Sequence, residues 1–247
     1  MDSTYQDTIL ARREQILERF DAALDRAGRP HDAAKLMAVS KTVGVEETVC
    51  AINAGYRLFG ENRPQELARK LKGLAEVEGL PDVRFDMIGN LQTNKINSVL
   101  GSANTIHSVS SLHLAEAISS RAERRIEAGE MSYAQPVFIE VNVSGEESKS
   151  GFAPDELRSS VDELLALKGI RIQGLMTMAP RGNMACAHRT FEGLRKLEEE
   201  LNETYRGDLS LTELSCGMSE DFEAALEEGS TLVRLGRVVF SPAFTVE

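Results

Sequence analysis

The strongest constraint in this 247-residue chain is an alternation. Eight short apolar runs rich in Val, Ile, Leu and Met are each followed by a polar turn and a stretch of helical periodicity. The runs are KLMAVSK (35–41), YRLFGEN (56–62), RFDMIGN (84–90), NTIHSVS (104–110), PVFIEVNV (136–143), IRIQGLMTMA (170–179), LTELSCG (211–217) and LVRLGRVVF (232–240). Between them lie helical stretches such as VEETVCAINAG and SLHLAEAISSRAERRIEAG, with Gly55, Gly129 and Gly229 where helices should stop. Near-continuous apolar strands separated by helices imply parallel strands buried on both faces. Eight such units without a Pro/Gly/Ser linker predict one α/β domain over 1–247, a closed (β/α)8 TIM barrel. An open doubly wound sheet is the alternative, because counting strands does not prove closure. Length agrees with the barrel, which takes about 250 residues. Within 1–30, Ile9, Ile16, Leu17, Phe20, Ala23 and Leu24 recur at helical spacing before AGRP, which predicts an extra N-terminal helix packed on the barrel.

Composition narrows the partners. A net charge of −11 argues against a general affinity for nucleic acid or anionic membrane, while leaving room for a local positive pocket. Three cysteines, Cys50, Cys186 and Cys216, are too scattered for a disulfide framework or a zinc site and suit a reducing compartment. The N-terminus lacks a signal pattern, and no apolar run approaches the roughly 20 residues that span a bilayer. A cytoplasmic monomer is the expectation.

In a parallel barrel the functional groups stand at the C-terminal ends of the strands. The polar residues there include Ser40 and Lys41 after the first strand, Glu61 and Asn62 after the second, Asn90 after the third, His107 on the fourth and Lys149 after the fifth. A lysine facing a barrel mouth can offer a nucleophilic amine to an aldehyde, where a surface lysine would mean nothing. The loops after strands seven and eight are the usual phosphate cradle. Here SCGMSED supplies Gly217 and then Ser219 as the expected N-cap of a helix, with Asp221 expected on its outer side; VRLGR supplies Arg234 and the backbone of Gly236. An aldehyde-reactive lysine opposite a phosphate cradle matches pyridoxal 5′-phosphate (PLP). A phosphometabolite aldolase would use the same pair on a carbonyl substrate.

AVSKT, FGENRPQE, IGNLQTNK, IHSV, VNVSGEESKSG, GLMTMAP and LSCGMSEDFEAALEEGSTLVRLGRVVF occur in this order between Lys35 and Phe240. Together they resemble the PLP-binding homeostasis proteins, which are similar to the barrel domain of alanine racemases. The resemblance implies a Schiff base between PLP and Lys41 and a phosphate held around Ser219 and Gly236. It also implies that Arg234 lies near the pyridine nitrogen or the phosphate, and that Asn62 and Met218 line the pocket. Two departures stand out: Asp86 where the family has His, and Ser241 in VFSPAF where the family tends to end IFG.

Arginine only donates, so Arg234 beside the ring nitrogen would leave that nitrogen unprotonated and the ring a poorer electron sink. A racemase of this kind also draws a second base, a tyrosine, from another domain, and the chain ends at Glu247, seven residues after the last run. Tyr5, Tyr56, Tyr133 and Tyr205 fall at the wrong places to replace it. The expectation is a protein of PLP (vitamin B6) homeostasis that holds the cofactor with little catalysis, PLP-requiring apoenzymes being candidate recipients. The alternative is a racemase-like PLP enzyme with a base drawn from Lys149 or His107. Lys149 reads otherwise as a loop lysine paired with Glu146 or Glu147, and His107 as a satisfied barrel residue.

Overall fold

The computed structural model describes residues 3–146 and 148–241. Eight parallel strands close on themselves in chain order: β1 (Lys35–Val39), β2 (Leu58–Glu61), β3 (Arg84–Met87), β4 (Ile106–Val109), β5 (Gln135–Glu140), β6 (Ile170–Met176), β7 (Glu213–Ser215) and β8 (Leu232–Leu235). The β8–β1 ladder, with Lys35 opposite Leu232 and Met37 opposite Arg234, settles closure in favour of the barrel over the open sheet.

Side chains alternate along each strand. Met37, Val39, Phe138, Met176 and Leu232 form a small cluster inside the barrel, joined by Leu58, Ile88 and Met178. Ala38, Phe59, Phe85, Ile139, Leu175 and Val233 belong to the larger core between strands and helices. Phe59 and Phe85 stack there with ring centroids 5.1 Å apart. Met176 and Met178 therefore face the lumen and Leu175 faces the helices, as the alternation in GLMTMAP requires.

The outer layer is α1 (Ser3–Arg26), α2 (Val45–Asn53), α3 (Pro64–Ala75), α4 (Leu112–Glu127), α5 (Pro154–Leu165), α6 (Met184–Thr204), α7 (Phe222–Glu227) and α8 (Arg237–Phe240). Two elements differ from the sequence reading. The β3–β4 connection carries only a 3-10 turn, Thr93–Ser98, because its Asn- and Ser-rich text competes with helical hydrogen bonding. The run 232–240 is a strand only to Leu235; after Gly236 the chain coils into the single turn α8. The N-terminal helix is present and packs against α2, α7 and α8. Its buried face is Ile9, Ile16, Phe20, Ala23 and Leu24, while Leu17 is only partly covered. Polar bonds stitch the same seam: Arg19 to Glu223 at 3.0 Å, Arg12 to the Ser241 carbonyl at 2.6 Å, and Arg29 to the Leu226 carbonyl at 2.6 Å. No helix among the described residues is long and apolar enough to cross a membrane.

These bonds make α1 part of the same cooperative unit as the barrel. Ile16→Ala should cost about 2–5 kcal/mol and move a single urea transition followed by circular dichroism. A separate early transition would show α1 to be an independent appendage.

Candidate functional site at the C-terminal rim

Three residues at the end of β1 and β2 are positioned by a buried ionic knot. Ser40 donates to Glu61 Oε1 at 2.6 Å, on the outer side of the sheet. Lys70 of α3 bonds both to that oxygen and to the Ser40 carbonyl. Glu61 and Lys70 are fully buried. With Ser40 facing outward and pinned, the next residue, Lys41, follows Met37 and Val39 on the lumen side of the rim. It is exposed, and no described residue bonds its amine. The described residues therefore leave that amine open at the rim.

Asn62 takes the corresponding place on β2. A Cβ on Gly60 would lie 2.6 Å from Met37 Sδ, so Gly60 faces the lumen, Glu61 faces out and Asn62 faces in again. Gly89 lets the chain after β3 pass against Asn62, since a Cβ there would overlap the Asn62 carbonyl.

Arg234 enters from the opposite wall. It is 5% exposed, and its Nη1 donates to the Ser215 carbonyl and to Ser215 Oγ, both at 2.6 Å, while Nη2 donates to the Thr177 carbonyl at 3.1 Å. No ion pair with a carboxylate forms among the described residues. Burial pushes its pKa down, opposed by Cys216, Asp221 and Glu140. Glu140, 2% exposed, accepts from Ser150 Oγ at 3.1 Å on one oxygen, and its other oxygen is buried without a partner. Burial raises the Glu140 pKa, with Ser150 and Arg234 pulling the other way. An unpaired buried cation beside a half-satisfied carboxyl is a costly arrangement to leave empty-handed.

The loop after β7 meets the turn after β8. Ser219 Oγ accepts from the Val238 N–H at 3.4 Å, which brings Ser219 against the turn that follows Gly236. The expected cap is corrected: the helix starts at Phe222 and its N-cap is Asp221, not Ser219. Asp221 does not point away either; its carboxylate is half-buried and accepts from the Met218 N–H at 2.5 Å. Gly217, at φ +94°, is required by the loop, but a Cβ on it would meet Ala225 Cβ at 2.6 Å. Its bare side faces α7 rather than the rim. Lys149 donates to Glu146 at 2.6 Å and to the Met178 carbonyl at 3.1 Å, so its amine is engaged. His107 is fully buried under the rim, with its ring 4.3 Å from that of Phe138 and both nitrogens in hydrogen bonds. Cys216 is inert, because burial pushes its thiol up to about 11.

Lys41 and Asn62 after β1 and β2, Arg234 on β8, and Met218, Ser219 and Gly236 in the loops after β7 and β8 thus lie at the same end of the barrel. The Glu61–Lys70 pair, Glu140 and the partners of Asp86 were not identified from the sequence. Lys70 did carry a signal, since it sits on the stripe Leu67–Lys70–Leu74 where a core residue belongs. A cavity of about 430 Å³ at the opposite end, between α1 and the starts of β1–β3, is remote from this rim. No cluster of metal-ligating side chains occurs among the described residues.

Residues 12–242 of this eight-stranded parallel barrel match the family described as the alanine racemase N-terminal domain. The chain belongs to that family and, within it, to the pyridoxal phosphate homeostasis proteins. It is 40% identical over 230 residues to the pyridoxal phosphate homeostasis protein of Aquifex aeolicus, covering 93% of this chain and 96% of that one. A crystal structure of an unknown protein from Bifidobacterium adolescentis superposes with a TM-score of 0.88 at 38% identity, covering 97% of each chain. PipY of Synechococcus elongatus, solved with PLP bound, superposes with a TM-score of 0.76 at 33% identity, covering 92% of this chain and all (100%) of that one. An alanine racemase of Clostridium difficile shares the fold at 15% identity and a TM-score of 0.65.

The ionic knot yields a prediction. Lys70→Met leaves Glu61 charged and alone and should cost about 3–5 kcal/mol in chemical denaturation. Adding Glu61→Leu should recover most of that loss. A double variant no more stable than Lys70→Met would show that the pair is not the interaction at stake.

Proposed function

We propose that this protein binds PLP at the C-terminal rim and serves PLP homeostasis, holding the cofactor for storage or delivery rather than for turnover. The observation that carries the reading is Arg234: a buried guanidinium held by carbonyls and a hydroxyl, on the wall opposite the Lys41 amine, where among the described residues no carboxylate pairs with the one and no group bonds the other. A cofactor with an aldehyde at one end and an anionic phosphate at the other answers both needs. The 33%-identical PipY, solved with PLP, supports the same reading.

The residues present fit the group. Lys41 offers the amine for the aldehyde. Ser219 and the backbone about Gly236 would hold the phosphate, Arg234 would face the ring nitrogen or the phosphate, and Asn62 and Met218 would line the sides. Gly217 belongs to the cradle by shaping its loop. Bound there, PLP supplies an electrophilic carbon and a ring that accepts electron density. Arg234 can donate hydrogen bonds but takes up no proton, so it does not strengthen that electron sink. Of the bases considered from the sequence, His107 is walled off and Lys149 is tied to Glu146. The chain acts as a cytoplasmic monomer, with PLP-requiring apoenzymes as recipients.

One observation favours a second reading, a racemase-like PLP enzyme. Glu140 has an unpartnered buried oxygen at the mouth and a pKa raised by burial, the character of a proton-handling group.

The test uses purified full-length protein with added PLP. Visible absorbance of lysine-bound PLP should develop, borohydride should fix the label, and peptide mapping should place it on Lys41; Lys41→Ala should abolish it. A label on another lysine overturns the Lys41 assignment, and no label overturns the PLP reading. Racemisation of an amino acid faster than about 1 s⁻¹ would select the enzyme instead.

A further inference from the structure

Below Arg234 the lumen holds a continuous polar chain that the proposed function does not use. Arg84, at the floor, donates to Asp86 from Nε at 2.9 Å and from Nη2 at 3.2 Å. The Thr105 N–H donates to Asp86 Oδ1 at 3.1 Å. Asp86 Oδ2 lies 3.1 Å from His107 Nε2, and His107 Nδ1 lies 3.0 Å from Ser215 Oγ. Ser215 Oγ in turn receives Arg234 Nη1 at 2.6 Å. Asp86, His107 and Ser215 are fully buried, while Arg84 at the floor is partly exposed.

The donors and acceptors leave one consistent direction. A carboxylate only accepts, so His107 Nε2 carries the proton that Asp86 Oδ2 receives. Ser215 Oγ already accepts from Arg234 Nη1, so its own proton is directed to His107 Nδ1, which calls for a neutral ring; burial, the largest influence, and the cations Arg234 and Arg84 lower the ring's pKa against the pull of the Asp86 carboxylate. A neutral ring protonated on Nε2 leaves Nδ1 as an acceptor, which takes the Ser215 hydroxyl proton. The Ser215 oxygen then turns its lone pairs to Arg234.

We infer that Asp86, His107 and Ser215 form a one-way hydrogen-bond relay that positions Arg234 from the barrel floor. Asp86 sets the His107 tautomer, the tautomer orients the Ser215 hydroxyl, and the hydroxyl oxygen holds the guanidinium across the mouth. All three are positioning residues, and their effect on ligand binding rests on the reading that Arg234 faces PLP.

The first arm needs no cofactor. Imidazole ¹⁵N–¹H correlation spectra of the full chain, with His107 assigned through H107F, should show a neutral ring protonated on Nε2 between about pH 6 and 8. An Nδ1-protonated ring or an imidazolium in that range overturns the relay. In D86N, the Thr105 N–H and Arg84 Nε keep the amide oxygen at the Oδ1 position, so the amide NH₂ takes the place of Oδ2, gives up the bond from Arg84 Nη2, and drives His107 to the other tautomer. PLP affinity should then fall about tenfold, the loss expected for a misdirected hydrogen bond to a charged group.

S215A should weaken PLP by a similar factor. Adding D86N to S215A should change affinity by less than about twofold, because the relay is already cut. Additive losses in the double variant, or a flipped tautomer with unchanged affinity, overturn the proposal. If D86N does not fold, H107F combined with S215A runs the same cycle with the same two outcomes. Failure of the wild-type chain to bind PLP at all would strike the functional reading, and the tautomer arm would still judge the relay.

Discussion

The pairing of β8 with β1 is the interaction on which everything else rests. It joins strands 197 positions apart in sequence, Lys35 to Leu232, and its register sets Met37 beside Arg234. Two residues further up each strand the same register brings Gly236 against Val39. Only this closure puts the lysine at the end of β1 on the same mouth as the β7 and β8 loops. Helix α1 reinforces it from outside, packing across α7 and α8 while its Arg19 and Arg12 bond to Glu223 and Ser241, and Arg29 just beyond it bonds to Leu226.

Closure also explains why the lumen is polar in its lower part and unsatisfied near its top. A parallel barrel of this size fills its interior with side chains in layers. Here one layer is an ordered set of hydrogen bonds, Asp86, His107 and Ser215, packed beside Phe138. Above it, Arg234 and Glu140 are buried without being paired to one another, and burial works against the charged form of each. Burying polar groups with incomplete partners costs stability, and such costs are retained where a ligand completes the set. The Glu61–Lys70 knot works on the other side of the sheet, where it holds Ser40 and so the direction of Lys41.

Much of this architecture was legible in the text of the chain. KLMAV and RFDM are strands where the apolar runs begin, and helices stop near Gly55, Gly129 and Gly229. The rim residues were legible because a strand end is a polar residue after an apolar run. The run 232–240 misled because Val238, Val239 and Phe240 have the character of a strand, yet the rim forces a turn after Gly236. Ser219 read as a cap because a serine before an acidic pair usually is one; the structure gives that place to Asp221 two residues later, and Ser219 turns instead to Val238. The relay and the unpaired carboxyl of Glu140 were not legible, since which polar side chains meet across the lumen depends on barrel stagger, a property of three-dimensional register. Lys70 was the exception that could have been found, being a cation on an apolar stripe.

The central claim is that one small molecule spans the gap that closure creates, from the end of β1 to the loops of β7 and β8. The most direct measurement is a crystal structure of the full chain grown with PLP. The account predicts continuous density from Lys41 Nζ to the pyridine ring, with the phosphate over Ser219 and Gly236 and the ring edge within hydrogen-bonding reach of Arg234. Density joined to Lys149 or another lysine, or a phosphate lodged away from the β7 and β8 loops, would contradict it.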